Sequence, residues 1–151
     1  MQEFTSVDDV LDFAIGKEQE AFDLYYGLSQ QMVGEDMRHV FKEFAAEEQR
    51  HKAKLEEVKG GKQLLSSAAR VSDLKIGDYL IDIVPSANMT YQHALILAMK
   101  AEKAAFRLYM DLAASAADAG MQALFESLAV EEAKHKLRFE VEYDDNVLKE
   151  N

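Results

Sequence analysis

An internal repeat constrains the fold of this chain more strongly than any other feature of its sequence. When the sequence is shifted by 84 residues without a gap, residues 11–57 align with residues 95–141, and sixteen positions carry the same amino acid. The repeated apolar pairs follow the three- and four-residue steps of an amphipathic helix. They include Leu11/Leu95, Ala21/Ala105, Phe22/Phe106, Tyr25/Tyr109, Leu28/Leu112, Phe41/Phe125 and Ala45/Ala129. The repeat therefore predicts two copies of one helical unit.

Start and stop signals divide the first copy into two helices. Ser6, with Asp9 three residues later, resembles an acidic capping box, and the apolar pattern that follows stops before Gly34. A second helix is predicted over residues 36–59, because the glycine pair at 60–61 is a typical C-terminal stop.

The second copy shows similar signals. Thr90 is the predicted N-cap of a third helix, which ends before Gly120. A fourth helix begins near Met121 and is expected to fray in the acidic residues 144–146. Because the breaks at Gly34 and Gly120 are short, each copy is predicted to form an antiparallel hairpin.

About thirty residues connect the two hairpins. A connection of this length usually crosses over a bundle and has structure of its own, and Leu74–Val84, before Pro85, is predicted as a short helix or an extended piece. The predicted fold class is all-α, a four-helix bundle made of two repeated hairpins joined by a long crossover. The predicted units are hairpin 6–59, crossover 60–89 and hairpin 90–146, within a single domain 1–151.

Composition excludes several classes of protein. The 151 residues carry 28 acidic and 17 basic side chains, and a net charge of −11 argues against binding to nucleic acid or to an anionic membrane. The absence of cysteine excludes disulfides and metal sites made of thiolates. The acidic N-terminal segment lacks the layout of a signal peptide, and no apolar run reaches the length of a membrane span. We therefore expect a cytoplasmic protein.

The repeat also preserves polar residues that core packing does not require. Glu48 and His51 are three residues apart, so both project from one face of the second helix. Glu132 and His135 do the same on the fourth helix, and Glu18 and Glu102 lie among apolar positions of the first and third helices. A bundle of these helices directs four carboxylates and two imidazoles toward its centre.

This set of side chains matches a known kind of metal centre. One Glu from each of two helices and a Glu-x-x-His from each of the other two are the ligands of carboxylate-bridged di-iron and di-manganese bundles. Carboxylate oxygens suit iron and manganese, and two carboxylates can bridge a pair of metals. Without metal, four buried negative charges would be costly. The predicted metal ligands are Glu18, Glu48, His51, Glu102, Glu132 and His135.

Simpler interpretations remain for each of these residues. A single Glu-x-x-His is more often a solvated charged face, and a duplication initially copies every residue whether it functions or not. Tyr25 and Tyr109, two turns after the glutamates of the first and third helices, either hydrogen-bond to a ligand carboxylate or simply pack in the core. Glu47 and Glu131 are interpreted as charges at the helix edge or between helices. Glu20, His39 and His93 are placed outside the site.

These residues resemble the rubrerythrin-like branch of the ferritin-like superfamily. The segments EQEAFDLY and EKAAFRLY are each followed, thirty residues later, by EQRH or EAKH. The resemblance implies a ferritin-like four-helix bundle with a non-haem di-iron centre. It implies that Glu48 and Glu132 bridge the irons and that Glu18 and Glu102 are terminal ligands. It also implies that His51 and His135 each bind one iron.

Two features depart from the family pattern. Rubrerythrins proper carry a rubredoxin-like domain with four cysteines, and this chain has neither the cysteines nor the length for it. They also usually have an extra carboxylate three residues after the third-helix ligand, where this chain has Ala105. An external, rubredoxin-like electron donor is therefore expected.

The predicted function is the reduction of hydrogen peroxide or dioxygen at a diferrous centre, with the same six residues carrying catalysis. The expected cofactors are two iron ions (Fe²⁺/Fe³⁺), for which manganese or zinc could substitute. The alternatives are ferroxidation and iron storage without turnover, or a metal-free helical interaction module. A homodimer is predicted, with hairpins exchanged between chains as one form of it, because the connection is long.

Overall fold

The computed structural model describes residues 6–61, 89–116 and 118–148. These residues form four long helices and a short π-helix, and no strand occurs among them. The prediction of a helix or extended piece at Leu74–Val84 falls outside the described residues. The helices are α1 (Val7–Gln31), α2 (Glu35–Gly61), α3 (Tyr91–Ser115) and α4 (Ala119–Tyr143), followed by the π-helix Asp144–Leu148.

Two of the predicted helix starts are confirmed. The side chain of Ser6 accepts a hydrogen bond from the backbone N–H of Asp9 at 3.1 Å, and Thr90 accepts one from His93 at 3.1 Å. Each hydroxyl satisfies one of the N–H groups that the first turn of a helix leaves without a partner.

The two ends of α4 differ from the prediction. Asp118 is the N-cap, and its carboxylate accepts hydrogen bonds from the backbone N–H of Gly120 at 2.6 Å and of Met121 at 3.3 Å. Gly120 therefore lies inside the first turn and does not precede it. At the other end the chain continues as a π-helix instead of fraying, and the Asn146 amide donates to the Glu142 carbonyl at 3.0 Å.

The helices form the predicted pair of hairpins. Helix α1 packs along α2, α3 packs along α4, and α1 also contacts α3. Lys59, near the end of α2, pairs with Asp12 near the start of α1. The backbone N–H of Met89, just before α3, donates to Gln31 at the end of α1 (3.0 Å). The chain therefore leaves α2 at one end of the bundle and enters α3 at the other.

Two hydrophobic clusters fill the two ends of the bundle. One is mainly aliphatic, with Leu11, Leu55 and Leu112 fully buried beside Tyr109 and Phe125. The other is rich in aromatic rings and contains Tyr25, Phe41, Phe44 and Phe139. Burying a side chain of this size contributes about 1.5–3 kcal/mol to folding stability. The clusters leave a polar layer between them at mid-height.

None of the helices formed by the described residues combines the length and the apolar composition that crossing a bilayer requires.

Candidate metal centre

The six predicted ligand residues converge in the polar layer between the two clusters. Helix α1 supplies Glu18, α3 supplies Glu102, and the Glu-x-x-His motifs of α2 and α4 supply the other four. All are buried, the four glutamates at 0–2% exposure and the histidines at 6% and 4%. Among the described residues, Ser29 is the one other polar side chain buried to this extent, and its hydroxyl donates a hydrogen bond to the carbonyl of Tyr26 at 2.5 Å.

The six side chains form two overlapping groups of potential ligands. In each group one atom per residue can be chosen so that all chosen atoms lie within 4.8 Å of one another. Both groups contain Glu48 and Glu132. The first adds Glu18 and His51, and the second adds Glu102 and His135. Two metals in these groups would share two carboxylates, and each would have one further carboxylate and one imidazole.

The imidazoles lie close to the carboxylates. His51 Nδ1 is 2.7 Å from Glu132 Oε1 and 3.6 Å from both Glu18 Oε1 and Glu48 Oε1. His135 Nδ1 is 3.2 Å from Glu48 Oε1 and 3.5 Å from Glu102 Oε1. The two rings are nearly parallel, with centroids 5.5 Å apart. Both Nδ1 atoms therefore face the carboxylate cluster.

Several of these atoms have no hydrogen-bond partner. Among the described side chains, the buried nitrogen and oxygen atoms without a hydrogen bond all belong to these six residues. Even His51 Nδ1 and Glu132 Oε1, which are 2.7 Å apart, make no hydrogen bond. A buried polar atom without a partner costs about 1–3 kcal/mol. A pair of cations between the carboxylates would satisfy these atoms, so the residues present fit a dinuclear metal centre.

Two tyrosines hold the carboxylates of Glu18 and Glu102 in place. Tyr25 of α1 donates a hydrogen bond to Glu102 Oε1 of α3 at 2.6 Å, and Tyr109 of α3 donates to Glu18 Oε1 of α1 at 2.5 Å. The sequence placed each tyrosine near a glutamate, but the hydrogen bonds cross between the repeats. Each phenol therefore both orients a carboxylate and joins the two hairpins.

Burial and mutual repulsion change the acidity of the site. Burial raises the pKa of Glu48 well above its usual range, and the neighbouring charges of Glu102 and Glu18 raise it further. Burial likewise raises the pKa of Glu132, with added repulsion from Glu102 and Glu48. The protein alone therefore holds the protons of this pair to a higher pH than a free glutamate would, and cations would favour the ionised form.

The same causes act on the two tyrosines. Burial raises the pKa of Tyr25 well above 10, followed by repulsion from Glu102 and Glu48. Burial also raises the pKa of Tyr109, followed by repulsion from Glu18 and Glu132. Both phenols therefore remain protonated hydrogen-bond donors at neutral pH.

The surroundings of the two histidines are not equivalent. The Phe44 ring meets His135 at right angles, with centroids 5.1 Å apart, and stacks on Phe139 at 3.9 Å. The repeat partners of these phenylalanines are Leu128 and Leu55. This difference was not predicted from the sequence, although the mismatched positions of the repeat carry the signal.

Other residues considered from the sequence lie mostly outside the cluster. Glu20, His39 and His93 are exposed. Glu131 pairs with Lys134 at 3.7 Å, as expected for a charge at the helix edge. For Glu47 the interhelical alternative also applies. Besides contacting Arg50, Glu47 can place a carboxylate oxygen within 4.8 Å of ring nitrogens of both His51 and His135.

Comparisons with known proteins agree with this architecture. A crystal structure from Thermotoga maritima, provisionally described as a ferritin-like diiron-carboxylate protein, superposes with a TM-score of 0.71 at 20% sequence identity. The match covers 97% of this chain and 99% of that one and confirms the ferritin-like four-helix bundle. A search of the curated proteins found no significant match. The rubrerythrin family model matches residues 9–143, and the chain therefore belongs to the rubrerythrin family.

Proposed function

We propose that this protein is a non-haem di-iron oxidoreductase of the rubrerythrin type that reduces hydrogen peroxide or dioxygen. The observation that carries the proposal is the pair of overlapping ligand groups that share Glu48 and Glu132. The unpartnered buried atoms of the same six residues support it. Family membership and the fold of the Thermotoga protein are compatible with a di-iron protein.

Each residue has a role in holding the metals. Glu48 and Glu132, which belong to both ligand groups, would be the shared ligands. Glu18 and His51 would complete one coordination sphere, and Glu102 and His135 the other. When bound, two ferrous ions supply the two electrons that, with two protons, convert hydrogen peroxide to two waters. The electrons for repeated turnover would come from an external carrier.

The surrounding residues prepare the site for this chemistry. Tyr25 and Tyr109 hold Glu102 and Glu18 in one orientation, which limits the rearrangement needed when a metal arrives. The hydrophobic clusters above and below exclude bulk water from both ends of the site. A dry site strengthens the attraction between carboxylates and cations.

Anaerobic loading followed by oxidant titration tests the proposal. Protein loaded with Fe²⁺ should be oxidised by one equivalent of hydrogen peroxide per pair of irons, and repeated additions of reductant and peroxide should give further turnovers. Glu132→Ala should abolish both reactions. Oxidation that occurs once and accumulates ferric mineral would instead support ferroxidation and storage, and a chain that binds no iron would support a metal-free module.

A further inference from the structure

The metal centre is most accessible to solvent at its histidines. The side chains of His51 and His135 are 8% and 5% exposed, whereas those of the four glutamates are 0–2% exposed. The two core clusters close the centre at both ends of the bundle. Among the described residues, the centre is therefore most open at the imidazoles, which α2 and α4 supply.

Glu47 lies close to these imidazoles. It lies one helical turn before His51 on α2, so the two side chains share a face of the helix. Its side chain is 32% exposed, which places it between solvent and the buried layer. A carboxylate oxygen of Glu47 and ring nitrogens of His51 and His135 lie within 4.8 Å of one another, close enough to surround one ion.

The three donor groups are of the types that favour ferrous iron. Two imidazoles and one carboxylate, with the remaining positions open to water, form the donor set of mononuclear Fe(II) sites. The Glu47 carboxylate also contacts the Arg50 guanidinium, so it already interacts with a cation. Arg50 is exposed and can swing into solvent when a metal takes its place.

The repeat provides an internal comparison. Glu131 occupies the equivalent position on α4, but its carboxylate pairs with Lys134 at 3.7 Å. Among the described residues, Glu131 belongs to none of the three potential ligand groups. Glu47 and Glu131 are the same amino acid with similar exposure. Of the two, it is Glu47 that has a carboxylate oxygen close to ring nitrogens of both histidines.

We propose that Glu47, His51 and His135 form an outer site that receives a divalent metal ion from solvent and delivers it to the dinuclear centre. The inference rests on the proposed function, because the delivered ion needs the inner carboxylates as its destination. Both histidines belong to the outer and the inner ligand groups, so the outer site weakens once the inner one is filled. It is therefore a transit site and adds no metal to the final content.

Metal uptake by the full-length metal-free chain tests the assignment. Co²⁺ is the probe, because its visible absorption reports coordination without redox chemistry. Stopped-flow mixing gives the uptake rate, and equilibrium titration gives the stoichiometry. We expect Glu47→Gln to slow uptake on the order of tenfold, in the range typical of electrostatic guidance of a charged ligand. It should still bind two ions per chain, and Glu131→Gln should load at the wild-type rate.

Three outcomes would count against the outer site, and the two variants distinguish them from one another. Equal charge is removed in both variants, so a general effect of lowering the negative charge would slow them equally, and that result would overturn the inference. Wild-type uptake rates in Glu47→Gln, with two ions bound, would overturn it while leaving the proposed function intact. A wild-type chain that binds no Co²⁺ at equilibrium would overturn the proposed function and the outer site together.

Discussion

At the scale of single residues, the buried acids show the clearest conflict between folding and function. Glu48 and Glu132 lie at 1% and 0% exposure, where an apolar side chain would pack at no electrostatic cost. Their sequence positions were recognisable because the repeat preserved them, and the helical spacing indicated that they point inward. The crossed hydrogen bonds of Tyr25 and Tyr109 were not predictable, because they depend on how the two hairpins are placed against each other.

The metal-free protein should lose stability as the pH rises. Glu48 and Glu132 have raised pKa values in the folded state, so the native state binds more protons than the unfolded chain above about pH 4.3. The stability that these two groups contribute is fully present below that pH and is lost as the pH rises through their folded-state pKa values. Thermal melts of metal-free protein should therefore show a falling Tm from pH 5 to pH 8.

A neutral amide at one of these positions should reduce this dependence. Glu48→Gln should melt at a higher temperature than wild type at pH 8 when both are metal-free, because it removes one buried charge. The control is Glu126→Gln, which removes an exposed charge from α4. A flat Tm profile for the wild type, or the same change in both variants, would contradict the account.

Removing one imidazole should affect one metal more than the other. His51→Ala should weaken the ion held with Glu18, and His135→Ala the ion held with Glu102, because each histidine belongs to one of the two inner groups. Isothermal titration with Mn²⁺ should show one strong and one weakened site, with the affinity of the weakened site lowered by more than the roughly 10–100-fold that losing an outer hydrogen-bonding partner of a ligand costs. Equal weakening of both sites in both variants would refute the predicted division of ligands.

At the scale of helices, local signals predicted the starts of α1 and α3 but misplaced the start of α4. Ser6 and Thr90 are hydroxyl caps followed at once by an apolar pattern, so the sequence is unambiguous there. Near α4, Gly120 was interpreted as a break, although Asp118 precedes it and caps the helix. A glycine destabilises a helix less in the first turn than in the interior. The Asp118 cap therefore sets the start of α4, and Gly120 does not.

This cap can be tested directly. Asp118→Ala removes the acceptor for the backbone N–H groups of Gly120 and Met121, and should lower the free energy of unfolding by about 0.5–2 kcal/mol. Asp118→Asn and Asp118→Ser should recover most of the loss because both side chains can cap. Urea denaturation measures the change. A loss that persists in full with asparagine and serine would show that capping is not the cause.

At the scale of the whole molecule, the repeat predicted the bundle and the position of the site at its centre. It did not predict that one end would be aromatic and the other mainly aliphatic. Phe44 and Phe139 replace the leucines of the equivalent positions, and Phe44 contacts His135. The near symmetry therefore describes the six predicted ligand residues better than it describes their surroundings.

A homodimer remains our prediction for the assembled protein. Val130 and Leu137 are 52% and 61% exposed on α4 and, seven residues apart, share one face of that helix, so we expect this face to contribute to the interface. Light scattering should give twice the chain mass of 17.0 kDa. Leu137→Lys should shift the mass toward one chain. A wild-type protein with the mass of a single chain at all concentrations would contradict the prediction.

The shared role of Glu48 and Glu132 is the central claim, and metal stoichiometry tests it most directly. Wild-type protein and Glu48→Ala should be loaded anaerobically with Fe²⁺, freed of excess metal and analysed for iron per chain. We expect two irons in the wild type and fewer than one in the variant, because both inner groups lose the same ligand. Two irons retained by Glu48→Ala, or none bound by the wild type, would contradict it.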